Sequence, residues 1–438
     1  MDRQTNQDRR KFLKTTSLLG GGLVLGIQLG GCESSDTPRT TIKNMMSAQQ
    51  QEQQSVDTAF FPNAFLRITA DNRITVHVAS SEMGQGVMTS LPMLLAEELE
   101  ADWSMIRTEF APAHASFENP KSGRQITGGS ASIRGFWQTM REAGAVARDM
   151  LLTAAAQTWD TDKDACYAKS GSIYQRDSGQ HLTYGELVEK AQHLPVPKTP
   201  ALKKPDEFRI IGQPVPRLDN KVKVTGQAVF GQDIQLPGML TATIARCPVF
   251  EGKVKRIDTQ AEKNIKGVID VFEIETGIAV VAEHFWAAKK GRDLLKIEWD
   301  EGDHEKLDSH SIHKQFIQAV NNGKVIKDRG NTKKILNLNI RDASLNQTST
   351  KQQTAAIFET PYLAHTCMEP MNCTAHVQQD RCDIWVPTQG QEPTQKTGIK
   401  INGLPKEKVF VHNTFIGGGF GRRAEKDYVT DDVLICTR

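Results

Sequence analysis

The sequence predicts an α+β fold, and three observations predict it. Runs that alternate at the strand period and runs with apolar residues at helical spacing both occur after residue 60. From Leu194 to Pro216 prolines become frequent and apolar periodicity lapses, which marks a boundary between one mixed region and the next. At 438 residues and 38% hydrophobic content, the chain has length for roughly three domains and enough apolar material for their cores.

The first element is a targeting segment. Arg9-Arg10-Lys11-Phe12-Leu13-Lys14 precedes an apolar Gly/Leu-rich stretch from Ser17 to Gly31, which is short for a bilayer span. The paired arginines resemble a twin-arginine export signal, although Asp8 stands where such signals usually carry Ser or Thr. Leu29-Gly30-Gly31-Cys32 resembles a lipobox, so Cys32 is a lipidation candidate, with ordinary cleavage near it as the alternative. The expected destination is the periplasm or a membrane anchor facing it. Residues 33–57, rich in Ser, Thr and Gln, read as a flexible linker.

Order is expected from Phe60. Phe65 to Ile68 and Ile74 to Val78 alternate around Asp71-Asn72, as in a β-hairpin. After the loop Glu82-Met83-Gly84-Gln85-Gly86, Thr89 or Ser90 is expected to cap a helix with Leu91, Leu94, Leu95 and Leu99 on one face. A longer helix is expected from Ser130 or Ser132, burying Ile133, Trp137, Met140, Gly144, Ala147 and Leu151. Between Arg217 and Asp300, short β-like runs at Leu240–Ile244 and Ile278–Val281 accompany one helix from Phe285 to Leu294. The polar stretch 303–354 predicts exposed turns at Asn321-Asn322-Gly323 and Arg329-Gly330. Strands resume at Cys382–Val386 and Val409–Val411, and Met368-Glu369-Pro370 and Thr388-Gln389 are placed on the strands leading to a glycine-rich loop. A last helix carries Val429, Val433 and Cys436; no Gly, Asn or Pro stops it before Arg438, so it is expected to lack its packing partner and to expose Val429 and Val433.

Composition excludes some functions. Lys plus Arg total 54 against 52 for Asp plus Glu, and a net charge of +2 gives no electrostatic case for nucleic acid. The seven cysteines form no C-x-x-C pair and no zinc-like spacing with histidine, so no cysteine-bound metal is expected. Cys367 and Cys373 are read as buried free thiols rather than as a disulfide.

Gly417-Gly418-Gly419-Phe420-Gly421-Arg422-Arg423 carries the chemistry. Such a turn between a strand and a helix lets backbone N–H groups approach an anionic or oxo ligand closely. Arg422 at the third glycine position breaks the dinucleotide-binding fingerprint, and no Lys-Ser/Thr follows as in a P-loop. A turn that merely relieves backbone sterics is the bland alternative.

The surrounding residues make the loop specific. Glu82 to Gly86, Thr127-Gly128-Gly129-Ser130, Arg217-Leu218-Asp219 through Gly226, His365 through Pro370, Pro387-Thr388-Gln389 and Gly417 to Arg423 together resemble the molybdopterin-binding subunits of the xanthine dehydrogenase and aldehyde oxidase family. The resemblance is strongest to the isoquinoline 1-oxidoreductase beta-subunit type. It implies molybdopterin-binding α/β subdomains flanking an α/β hammerhead domain: one subdomain at 58–200, the hammerhead at 205–305, and the start of the main molybdopterin-binding domain at 306–438. It also implies a molybdenum-molybdopterin cofactor, in its plain or cytosine dinucleotide form, and no protein metal ligand. A small [2Fe–2S] subunit and an electron acceptor such as a cytochrome are the implied partners. Hydroxylation of N-heterocycles or aldehydes, with water as oxygen source, is the implied reaction.

By the same resemblance Gly84, Gln85, Gly86, Gln389, Gly418, Gly419, Phe420, Gly421 and Arg422 face the cofactor, with Gln85 donating from its amide and Phe420-Gly421 placing backbone at an oxo group. Arg423 and Glu369 are expected at the substrate pocket, although a buried glutamate bonded to backbone or arginine is the commoner outcome. His365 is expected as a satisfied core histidine. Three departures stand out. The Met-Gly-Gln-Gly segment precedes the phenylalanine loop instead of following it, Arg422-Arg423-Ala424 replaces the Gly-Lys-Glu of purine oxidisers, and Leu363 stands where those enzymes have glutamine. The family's general-base glutamate has no matching segment, so the base is expected beyond Arg438 and the chain alone is expected to lack turnover. Two alternatives remain at this stage: an inactive truncated fragment, or a non-enzymatic surface lipoprotein that acts as a binding module.

Overall fold

A computed structural model describes residues 60–258, 265–324, 326–327, 329–330 and 358–438. The export signal with Arg9 and Arg10, the lipobox Cys32, the linker 33–57 and most of the polar stretch before Phe358 lie outside the described residues. The chain divides into two compact units, one made of the residues up to Leu236 together with Cys367–Arg438, the other of Pro237–Thr366.

In the first unit, β1 (Phe60–Asn63), β2 (Leu66–Ile68), β3 (Ile74–Val78) and β4 (Ile106–Phe110) form one sheet in that order. The hairpin turns at Asn72, whose φ of 64° is one that asparagine tolerates better than most residues. α1 (Val87–Leu99) crosses between the parallel strands β3 and β4. It begins earlier than Thr89, because its cap position is Gly86 and the cap comes from a side chain upstream. α2 (Ser132–Trp159) lies against α1 so closely that a Cβ on Gly144 would stand 2.2 Å from the Leu95 carbonyl. Phe136 and not Trp137 turns inward: Phe136 is 2% exposed and Trp137 36%. Phe136 lies one helical turn from Met140, on the stripe that continues through Gly144, whereas Trp137 lies 100° round the axis from it.

A meander of β5 (Cys166–Lys169), β6 (Ser172–Gln175) and β7 (His181–Thr183) leads into α3 (Tyr184–Ala191), which Thr183 and Glu186 start with a capping box. The proline-frequent segment is pinned to α1. The fully buried Glu97 carboxylate accepts the N–H groups of Arg209, Ile210 and Ile211 and the Lys203 ammonium. Burial opposes its charge, but Lys203 and the three amides outweigh burial and lower its pKa. Residues 205–236 therefore belong with the first unit, whereas composition alone places the break before them.

After the short α4 (Asn220–Val224), the second unit holds β8 (Thr241–Ala245), β9 (Lys253–Asp258), β10 (Val268–Ile274), β11 (Gly277–Ala282), α5 (Phe285–Leu294) and β12 (Lys296–Asp300). β10, β11 and β8 form an antiparallel sheet in that order, and β9 pairs with β12. Small residues Ala287, Ala288 and Gly291 let α5 sit on this sheet. α6 (Ser309–Asn322), opened by an Asp308–Ser311 capping box, occupies part of the stretch that composition reads as turns. Its face carries little buried surface, so periodicity alone gives a weak signal there. His365 is exposed and lies outside any strand or helix, which corrects its placement in a core.

The first unit resumes with β13 (Thr374–Val377), β14 (Cys382–Val386), α7 (Gln391–Asn402), β15 (Val409–Asn413) and α8 (Asp427–Cys436). β14 and β15 are parallel, and α7 is the crossover between them. Val429 and Val433 are fully buried in one cluster with Ile384, Val386, Val409 and Val411, so the expectation that α8 exposes them is corrected. Met368-Glu369-Pro370 and Thr388-Gln389 lie outside strands, contrary to expectation, the latter pair just past β14. The six described cysteines are free.

Candidate functional site

Three glycine-containing loops meet in the first unit, and buried polar side chains join them. Gln389 is the central joint. Its backbone carbonyl accepts from the Thr127 N–H at 2.6 Å, and its Nε2 donates to the Thr127 carbonyl at 2.9 Å. Its Oε1 accepts from the Gly421 N–H at 3.1 Å, and its own N–H reaches the Arg423 carbonyl. Ser81 adds a second stitch, because its N–H donates to Thr127 Oγ1 and its hydroxyl to the Thr388 carbonyl. A third runs from the Ile416 N–H to the Glu82 carbonyl at 3.0 Å.

The loops touch at Gly419. A Cβ there would stand 2.6 Å from Met83 Sδ and 2.8 Å from Gln389 Oε1, so only glycine lets them approach. Phe420 next to it holds a φ of 52°, which costs a non-glycine residue on the order of 1–3 kcal/mol. The residue stays 68% exposed. Backbone bookkeeping locates the useful donors. Gly417 N–H goes to Glu369, Gly421 N–H to Gln389 and Arg422 N–H to the Gly419 carbonyl. The N–H groups of Gly418, Gly419 and Phe420 donate to no acceptor among the described residues. Successive unused amides on a left-handed turn can receive an anionic or oxo group.

The arginines are placed otherwise than the sequence suggested. Arg422 forks onto Asp427 with bonds of 2.7 and 2.6 Å, and that carboxylate raises its pKa. Arg423 is fully buried and donates to the carbonyls of Gly418 (3.0 Å), Glu369 (2.7 Å) and Pro387 (3.4 Å). It also faces the Glu369 carboxylate at 3.1 Å. Glu369 takes further bonds from the N–H groups of Gly231 and Gly417 and from Asn372 Nδ2. Both residues thus serve as framework: for Glu369 this is the commoner outcome named above, whereas Arg423 stands away from the substrate contact expected of it, because the groups that would meet a ligand are already satisfied inside the protein.

Gln85 folds back on its own loop, with Nε2 donating to the Ser81 carbonyl and Oε1 accepting from Met83 N–H. Gly84 and Gly86, at φ of 106° and 89°, let the loop turn around Glu82. That carboxylate is fully buried and accepts from the N–H groups of Gly84 (2.9 Å), Gly86 (3.1 Å) and Met88 (3.0 Å), with Arg217 at 3.2 Å and Lys223 at 3.4 Å. Asp219 pairs with the same Arg217 and Lys223; burial opposes its charge, yet their bonds lower its pKa. The sequence marks Glu82, Thr127 and Thr388 only as members of the segments that carry the resemblance and does not single out Ser81; only the fold shows where their bonds go.

A separate cleft of about 960 Å³ lies between the edge strands β4 and β15, lined by Phe110, Trp385, Val411, His412 and Phe415 among others. None of Gly84 to Gly86, Gln389 or Gly417 to Arg423 lines it. Asp383 holds His412 there at 2.7 Å; burial opposes the aspartate's charge, but His412 and Arg381 lower its pKa to about 2.

Two family models, each described as a molybdopterin cofactor-binding domain, match residues 5–231 and 330–436. The isoquinoline 1-oxidoreductase subunit beta of Brevundimonas diminuta is 30% identical over 415 residues, which is 85% of this chain and 52% of that protein. A protein of Gluconacetobacter polyoxogenes named membrane-bound pyrroloquinoline-quinone aldehyde dehydrogenase is 29% identical over 449 residues, 98% of this chain and 54% of its own length. The crystal structure of quinoline 2-oxidoreductase from Pseudomonas putida aligns with a TM-score of 0.35 at 17% identity, covering 52% of this chain and 33% of that one. The chain spans about half the length of the curated relatives it matches.

Proposed function

The chain belongs to the molybdopterin cofactor-binding family of molybdenum hydroxylase subunits, of the isoquinoline 1-oxidoreductase beta type, and from that premise we propose that its joined glycine loops are the protein side of a molybdopterin site. The unused N–H groups of Gly418, Gly419 and Phe420, held side by side on a loop that Gln389 and Arg423 fix from behind, carry this reading. When bound, the cofactor supplies the redox centre for hydroxylating an electron-poor carbon with oxygen from water. The protein's part is to orient that group through backbone donors. Gly84 and Gly86 bring the second loop alongside, and Phe420 stands exposed at the rim. N-heterocycles or aldehydes are the substrates this reading favours, and a separate [2Fe–2S] subunit passing electrons to a cytochrome is the partner it implies. The hammerhead domain, expected at 205–305 by sequence, would then be supplied by the part of that range beyond Leu236.

The test is molybdenum and pterin content of the chain purified from a host that makes the cofactor, compared with Gly419→Val. The valine side chain would meet Met83 and Gln389, and both contents should fall to background while the far-ultraviolet circular dichroism is kept. A wild-type chain without molybdenum or pterin, or a variant that retains both, overturns the reading.

Export is part of the same proposal, because the sequence carries a twin-arginine pattern ahead of a domain that needs its cofactor loaded. Replacing Arg9 and Arg10 together by lysine is expected to leave the precursor in the cytoplasm; mature protein beyond the inner membrane in normal amount would remove this part. No helix among the described residues is long and apolar enough to cross a membrane.

A further inference from the structure

The structure assigns Glu82 as the positioning residue that holds the two cofactor loops in register, an inference that rests on the molybdopterin reading above. A helix usually takes its cap from the residue at the N-cap position. α1 has Gly86 there, which has no side chain to offer. Glu82, four residues upstream, reaches under the loop instead and takes the Gly84, Gly86 and Met88 N–H groups on its two oxygens. The intervening Met83-Gly84-Gln85 is thereby bent over the carboxylate, and the left-handed φ values of Gly84 and Gly86 are those this bend requires.

The same residue reaches the second loop through its backbone. Its carbonyl accepts from Ile416 N–H, directly before Gly417, while the bend it imposes sets Met83 against Gly419. A fully buried carboxylate needs compensating charge, and Arg217 and Lys223 supply it. Both cations are shared with Asp219, and each is tied to one loop: Arg217 also donates to the Gly84 carbonyl at 3.3 Å, and Lys223 rests 5.0 Å from the Phe415 ring centroid. The Arg217-Leu218-Asp219 segment and Lys223 therefore act on the cofactor loops through Glu82.

The experiment compares wild type, Glu82→Gln, Arg217→Met and the double variant by hydrogen–deuterium exchange, with pterin content as the second readout. Loss of the charge should raise exchange by about tenfold in peptides covering 82–90 and 415–423, with β5 to β7 unchanged. Pterin retention should fall in both single variants, and the double variant should be no worse than the worse single one. Unchanged exchange in those peptides with wild-type pterin retention overturns the inference. A uniform rise over the whole chain also overturns it, because Glu82 would then serve only general stability. A wild-type chain without pterin counts against the cofactor reading and not against this one, which the exchange data then decide alone.

Discussion

Replacing Arg423 by methionine is expected to destabilise the first unit by about 3–5 kcal/mol, the range seen when one member of a buried ion pair is removed. Arg423 is fully buried, so no solvent takes over its work. Its guanidinium holds the carbonyls of Gly418, Glu369 and Pro387 and faces the Glu369 carboxylate. Without it the carboxylate keeps only neutral donors, namely the Gly231 and Gly417 amides and Asn372. Glu369→Gln should cost less, about 1–3 kcal/mol, because the amide oxygen still accepts a backbone N–H while Arg423 keeps its carbonyls. Urea denaturation followed by tryptophan fluorescence measures both. An Arg423→Met chain within about 1 kcal/mol of wild type would show that the guanidinium does not hold the loop. A chain equally stable but impaired in substrate affinity would return Arg423 to the pocket where the sequence placed it.

What could be read in advance follows from how each signal is encoded. The Asp71-Asn72 hairpin, the helix Phe285–Leu294 and the glycine loop announce themselves by local chemistry: a turn residue, a period, a run of glycines. α7 does not. Its sequence Gln391–Asn402 is polar, contains Pro393 and Gly398, and buries Gln391, Thr394, Gln395 and Gly398, so no apolar stripe marks it. Gly398 sits there because a Cβ would meet Ile384 at 2.8 Å and Val409 at 3.0 Å, a reason that exists only once β14 and β15 are side by side. The site divides the same way. Glycines at 84, 86, 418, 419 and 421 are legible because their spacing is itself the motif. The carboxylates and hydroxyls that hold them are not, because Glu82, Ser81, Thr127 and Thr388 act across separations of up to hundreds of residues. Arg422 and Arg423 show the limit of adjacency. Two like residues side by side take opposite fates, one paired at the surface with Asp427 and one enclosed with Glu369.

Asp432 gives the second large effect, as a dependence of stability on pH. It lies on α8 against β13, and its Oδ2 is buried without a hydrogen-bond partner among the described residues. Burial raises its pKa from 3.8 to about 7; bonds from Cys373 and the Ala375 amide pull it down, and the neighbouring Asp431 pushes it up. In the unfolded chain the same carboxyl titrates near its ordinary value, so between the two values the folded state binds the extra proton. Stability from this group is full below about pH 4 and is lost as pH rises through about 7, by roughly 2–4 kcal/mol in all. Glu97, Asp219 and Asp383 act with the opposite sign: their pKa values are lowered, so their contribution is present at neutral pH and is lost only in acid. From about pH 5 to pH 8 the Asp432 effect should therefore dominate, and the urea midpoint of the wild-type chain should fall across that window. Asp432→Asn keeps the shape and removes the titration, so its midpoint should stay level and exceed the wild type at the alkaline end. Parallel curves for the two chains would mean that Asp432 is ionised in the fold, with a donor on the oxygen that lacks one here.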